Sequence, residues 1–195
     1  MALRSIRQHG DYILQKKAKP VQVFDGALHG LLDDMLETLR HYDGLGMAAP
    51  QVGILRRVIV IEAEGNLYEI INPEIVETVG QEPKTEACLS VPNKQGEVQR
   101  PTFVKVDAFD RYGNPYSIET EDDLLATALC HEIDHLDGVL FIEKATKVQD
   151  RPPDDDVRKA RRSGKIKRGD KRVRNRKTKI IRPLVEKMAA GGTLI

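Results

Sequence analysis

Between residues 25 and 43 the apolar positions Leu28, Leu31, Leu32, Met35, Leu36 and Leu39 fall three and four apart, the spacing of one helical face, and predict an amphipathic helix. The pattern then changes. Val58-Ile59-Val60-Ile61, Leu67-Tyr68-Glu69-Ile70-Ile71 and Phe103-Val104-Lys105-Val106-Asp107-Ala108-Phe109 are rich in β-branched and aromatic residues and read as strands. Arg111-Tyr112-Gly113-Asn114 reads as a hairpin turn leading to another strand. A second helical run follows at Leu124-Leu125-Ala126-Thr127-Ala128-Leu129-Cys130, with Asp122 and Asp123 ahead of it, where acidic residues suit a helix N-terminus, and Gly138 as its stop. Before residue 25 the chain reads as extended. Helix, many strands, helix is the order of an α+β fold, with mixed or antiparallel strands packed around the second helix.

That second helix carries the candidate chemistry, in His131-Glu132-Ile133-Asp134-His135. Residues four apart share a helix face, so His131 and His135 can aim a ring nitrogen at one metal ion. Glu132 follows the first ligand directly and would take a proton from a metal-activated water. The competing reading is two surface histidines around an ordinary glutamate. The apolar lead-in opposes it, because these polar groups, once buried without a metal, would need other partners.

A third protein ligand is required, and the chain has only two cysteines, Cys88 and Cys130. Cys130 sits about 100° around the helix from His131 and reads as a small apolar filler of the core. Cys88, in Glu86-Ala87-Cys88-Leu89-Ser90-Val91-Pro92, would complete a Cys-His-His set with a fourth position open for water. Upstream, Gly44-Leu45-Gly46-Met47-Ala48-Ala49-Pro50-Gln51 follows the first helix. Its small residues allow close backbone approach, and the Gln51 amide is a candidate donor to a developing oxyanion. It lacks the lysine and spacing of a phosphate-binding loop.

These three segments, in this order, closely resemble the three signature motifs of the peptide deformylases. The likeness runs from residue 1 to about residue 147 and includes the opening Met1-Ala2-Leu3-Arg4-Ser5-Ile6-Arg7 and the Leu136-Asp137-Gly138-Val139-Leu140-Phe141 after the last motif. The resemblance implies that Cys88, His131 and His135 bind one divalent metal, ferrous iron in the cell, replaceable by nickel, cobalt or zinc. It implies that Glu132 is the general base and acid, and that Gln51 and the Leu89 N–H hold the formyl oxygen. Leu45 and Gly46 would lie along the substrate backbone, and Glu86 would help frame the pocket for the methionine side chain. The implied reaction removes the N-formyl group from the first methionine of a nascent polypeptide and releases formate. One departure is Ala87, where the family usually has glycine. A positive φ there would cost on the order of 1 kcal/mol; ordinary extended backbone is the expectation.

Length and composition fit a modest enzyme. The 195 residues suffice for one core and a short appendage. No apolar run is long enough for a membrane span, and the start shows neither a signal peptide's hydrophobic stretch nor a transit-like segment. With so few cysteines this reads as a cytoplasmic protein with no membrane partner, and the start favours a bacterial or phage origin over an organellar one, which stays open. The charge is uneven. Residues 1–150 carry 15 Lys+Arg and 25 Asp+Glu, net −10, whereas residues 151–195 carry 16 and 5, net +11. The expected division is therefore a catalytic domain at 1–147 and a basic tail at 148–195, helical in part or disordered. Because deformylases act at the ribosome, the resemblance makes ribosomal RNA a candidate partner of residues 151–195, by phosphate charge alone. A solvated tail, or one lying on the acidic domain, is the other reading. Two rival functions stay open: a zinc endopeptidase, which would usually take a third histidine or glutamate instead of Cys88, and a non-catalytic ribosome-binding protein on the same fold.

Overall fold

The computed structural model describes residues 2–63, 65–153 and 178–182. Asp25 starts the first helix by accepting the Leu28 N–H on its carboxylate at 3.0 Å, and α1 runs Gly26–His41. A short strand β1 (Gly46–Ala48) follows, then a one-turn 3-10 helix at Ala49–Val52. Strands β2 (Val58–Ala63), β3 (Asn66–Val79), β4 (Glu82–Cys88), β5 (Val91–Arg100), β6 (Phe103–Phe109) and β7 (Pro115–Thr120) precede the second helix, α2 (Asp123–Leu136). A single turn α3 (Phe141–Lys144) and strands β8 (Lys147–Asp150) and β9 (Lys179–Ile181) follow, and the segment before α1, expected to be extended, holds a 3-10 turn at Tyr12–Gln15 started by Asp11.

The strands form a six-stranded sheet in the order β1-β2-β3-β6-β7-β9 and a three-stranded sheet in the order β4-β5-β8, with antiparallel pairing throughout. The unbroken apolar run of β2 has a simple cause: it is covered on both faces. Val58 and Val60 pack with Leu28, Leu32, Met35 and Leu39 of α1, while Ile59 and Ile61 pack with Leu125, Leu129, Ile133 and Leu136 of α2. All four strand residues are fully buried, each worth about 1.5–3 kcal/mol of transfer free energy. Cys130 lies in the same α2 core, and neither cysteine is in a disulfide. A third cluster, Leu14, Cys88, Val91, Val98, Leu140 and Phe141, joins the smaller sheet to α3 and to the N-terminal segment. The metal-motif helix therefore runs through the middle of the molecule, gripped by both sheets.

The expected turn at 111–114 is present: Gly113 donates its N–H to the Asp110 carbonyl, and its φ of 84° needs glycine's freedom. Two stretches of the tail are strands. Lys147–Asp150 pairs with β5, and Lys179–Ile181 pairs with β7 through Ile118↔Ile180. The basic run beginning Arg158-Lys159-Ala160-Arg161-Arg162, and the helical or disordered character expected of the tail, lie outside the described residues. No helix among the described residues is long and apolar enough to cross a membrane.

Candidate active site

The site forms where α2, the β4–β5 turn and the segment after β1 converge. Asp122 caps α2 by accepting the Leu125 N–H at 2.8 Å, and the helix stops at Leu136, two residues before Gly138, whose φ is 78°. A Cβ at Gly138 would stand 2.8 Å from the Gln15 backbone, so the chain turns there against its own N-terminal segment. On the buried face, the His131 and His135 rings lie 5.0 Å apart at 78°. Cys88 closes the set from the end of β4, where the pairing register shifts between Glu86 and Cys88. Its Sγ is 3.2 Å from His135 Nε2, and one ligand atom from each of Cys88, His131 and His135 lies within 4.8 Å of the others. All three side chains are enclosed by protein.

Burial by itself would keep the Cys88 thiol protonated, but the charges and hydrogen bonds of His135 and His131 outweigh it and hold the thiol well below its usual range. Glu86 has the opposite environment for a buried acid. Despite desolvation, hydrogen bonds from His131 and Arg100 lower its carboxyl to about 2. Glu86 Oε2 accepts from His131 Nδ1 at 2.7 Å, which leaves Nε2 as the ring nitrogen turned to Cys88. A soft thiolate with two imidazoles, one tautomer fixed by a carboxylate, suits a tetrahedral divalent metal with an open position.

Glu132 sits beside this set. Burial raises its carboxyl to about 7, with the negative charges of Cys88 and Glu86 adding to the effect and the two histidines opposing it. Its Oε2 is buried with no hydrogen-bond partner among the described residues, the disposition of a carboxylate whose partner is a bound group. Gly46 makes the space for it, since a Cβ there would lie 2.6 Å from Glu132 Oε1.

Gln51 is fully enclosed and held by its neighbours. Its Oε1 accepts the Ala48 N–H at 2.8 Å, which fixes which end of the amide is the donor. Nε2 then faces Ser90 Oγ at 3.3 Å and Cys88 Sγ at 3.5 Å. The Arg7 N–H donates to the Gln51 carbonyl and the His9 N–H to the Ser90 carbonyl, both at 2.7 Å, so the N-terminal segment ties the two motifs together. Leu89 lies between Cys88 and Ser90 in the turn, its side chain against the α1 cluster. Leu45 packs against the α2 core, and its carbonyl accepts the Glu62 N–H at 2.9 Å. Ala87 is exposed and is not among the positive-φ residues, so its methyl group strains nothing.

Every residue singled out in the sequence thus lies at or beside one centre. Sequence reasoning missed Arg100, Asp134 and Ser90. Asp134 stood inside the helical motif without a role, and Arg100 lay in a polar strand that showed no pattern. Arg100 is buried and contacts Glu86 by Nε at 2.5 Å and Nη2 at 3.1 Å, and Asp134 by Nη1 at 2.8 Å. Lys144 of α3 completes the line at 2.6 Å from Asp134.

Comparison with known proteins agrees with this geometry. Residues 3–151 match the family model described as polypeptide deformylase. The chain is 53% identical over 144 residues to peptide deformylase 1 of Clostridium acetobutylicum, covering 74% of this chain and 95% of that protein. It is 49% identical over 167 residues to a peptide deformylase of Acetivibrio thermocellus, covering 86% and 98%. A crystal structure of a peptide deformylase from Legionella pneumophila superposes with a TM-score of 0.72 at 43% identity, covering 74% of this chain and 87% of that one.

Proposed function

We propose a mechanism for this chain, which belongs to the polypeptide deformylase family and removes the N-formyl group from N-formylmethionyl peptides. The enzyme holds a metal ion, and we assign its ligands to Cys88, His131 and His135. Bound there, a divalent metal supplies Lewis acidity that lets water act as a nucleophile near neutral pH. Glu132, buried and with a carboxyl near 7, takes the proton released by the attacking water and delivers it to the departing amine. Gln51 Nε2, its direction fixed from behind by the Ala48 N–H, donates to the formyl oxygen as negative charge develops, together with the Leu89 N–H. Leu45 and Gly46 border the substrate backbone. Glu86 serves His131 through the 2.7 Å hydrogen bond, in addition to the pocket-framing place the resemblance implies.

The observation that carries this reading is the convergence of three ligand atoms within 4.8 Å of one another beside a buried carboxylate oxygen without a partner. It is tested by formate release from a short N-formylmethionyl peptide, using anaerobically purified, iron- or nickel-loaded protein with a Glu132→Gln variant in parallel. Rapid release by the parent and loss of 10²-fold or more in the variant is expected. Equal rates remove Glu132 from the mechanism. The endopeptidase and non-catalytic alternatives are without support.

The native metal we assign as ferrous iron on the family resemblance, since the Cys-His-His set itself accepts several divalent metals, and the site of action as the cytoplasm, on the nascent formylated substrate. The net +11 of residues 151–195 supports contact with ribosomal RNA. Removing those residues should abolish co-sedimentation with ribosomes at low salt; unchanged co-sedimentation ends that idea.

A further inference from the structure

We propose that Arg100 is the positioning residue that sets the separation and orientation of the metal ligands. The proposal rests on the assignment of Cys88, His131 and His135 as those ligands. Its basis is where the guanidinium stands. Arg100 closes β5, the partner of the cysteine-bearing strand β4, and its fork grips Glu86, two residues before Cys88, through both carboxylate oxygens at 2.5 and 3.1 Å. The remaining amino group reaches Asp134 at 2.8 Å, on α2 between the two histidines. One side chain therefore pins the two elements that supply the ligands, and it does so from inside the protein: its side chain is 4% exposed, that of Glu86 3% and that of Asp134 15%.

The same contacts fix orientation. Glu86 uses Oε2 both to accept from Arg100 Nη2 and to accept His131 Nδ1–H at 2.7 Å. Held in place by the fork, the carboxylate cannot rotate away, so the His131 ring keeps one tautomer and one plane. The guanidinium charge also offsets Glu86 beside a site that already holds the Cys88 thiolate and Glu132. Lysine in its place would keep the charge but not the planar two-pronged grip. Lys144, 2.6 Å from Asp134 on the outer side, holds the far end of the line.

The test uses full-length, nickel-loaded protein and three variants: Cys88→Ala, Arg100→Lys and Asp134→Asn. Four readouts are taken: the rate of metal loss to excess chelator, kcat and KM for formate release, the His131 Nδ1–H proton resonance, and the melting temperature. Arg100→Lys should lose metal 10–100-fold faster, with kcat reduced, KM nearly unchanged and the His131 proton signal shifted or broadened. Asp134→Asn should change each in the same direction and by less. Parental metal loss and a parental His131 resonance in folded Arg100→Lys overturn the proposal, even if its melting temperature falls, because Arg100 would then serve stability alone. If Arg100→Lys does not fold, Asp134→Asn decides on the same criteria. Stoichiometric metal in Cys88→Ala would instead overturn the ligand assignment, and this proposal with it.

Discussion

Gly46 and Glu132 occupy one space: a Cβ on Gly46 would lie 2.6 Å from Glu132 Oε1 and 3.0 Å from its Cδ. Gly46 opens a strand paired to β2 through Gly46↔Ile61, so its backbone has little room to retreat. Gly46→Ala should therefore displace the carboxylate and leave the three ligands in place. The expected result is a fall in kcat on the order of 100-fold, the range of a lost general base, with metal content unchanged by elemental analysis. Full activity in the alanine variant would show that Glu132 can relax at no cost.

The pH dependence of the metal-free protein follows from the same carboxyl. Glu132 titrates at about 7 when folded, above its ordinary 4.5. An acid whose folded pKa is raised contributes stability in full below its unfolded value and loses it as the pH rises through the folded one. At pH 8 the metal-free fold therefore carries a cost on the order of 3 kcal/mol that Glu132→Gln does not. Urea denaturation of chelator-treated protein should show the variant more stable than the parent at pH 8, with the gap closing towards pH 5. A gap constant across that window would rule this out.

The two cysteines should differ in reactivity. Cys88 is held well below the ordinary thiol range, whereas burial pushes Cys130 up to about 11. At neutral pH the metal-free native protein should take up one equivalent of iodoacetamide, mapped by mass spectrometry to Cys88, and the metal-loaded protein much less. Equal labelling of Cys130 in the native state would show that thiolate character does not separate the two, since both are buried alike.

Gly138→Ala is expected to destabilise the fold by about 1–3 kcal/mol, since the residue has a positive φ and its new methyl would press on the Gln15 backbone. His135 lies one turn back, so metal affinity should weaken in parallel. The midpoint of a urea titration and the chelator competition rate measure the two effects.

The elements legible in the sequence are those with a strong period. The α1 stripe, the apolar run of β2 and the capped α2 all appear as expected, because each buries a face against a neighbour. The β4–β5 hairpin has no such period. β5 contains Pro92, Asn93, Lys94, Gln95 and Gly96, and its strand character comes from pairing on both sides, which no local pattern reveals. Arg100 was missed for the same reason: its value depends on Glu86 and Asp134, which only the folded chain brings together. Lys179–Ile181 is similarly a strand by virtue of the β7 edge it meets.

The N-terminal strap has a consequence for how the enzyme comes into being. Arg7 donates to Gln51, His9 to Ser90, and Ala18 to Leu136, so this upstream segment is bonded to each later motif in turn. No early portion of the chain can assemble this centre, because its last bond waits until Leu136 has left the ribosome. Such long-range closure slows folding. The enzyme that trims the starts of other chains closes its own site with a segment that lies ahead of every motif.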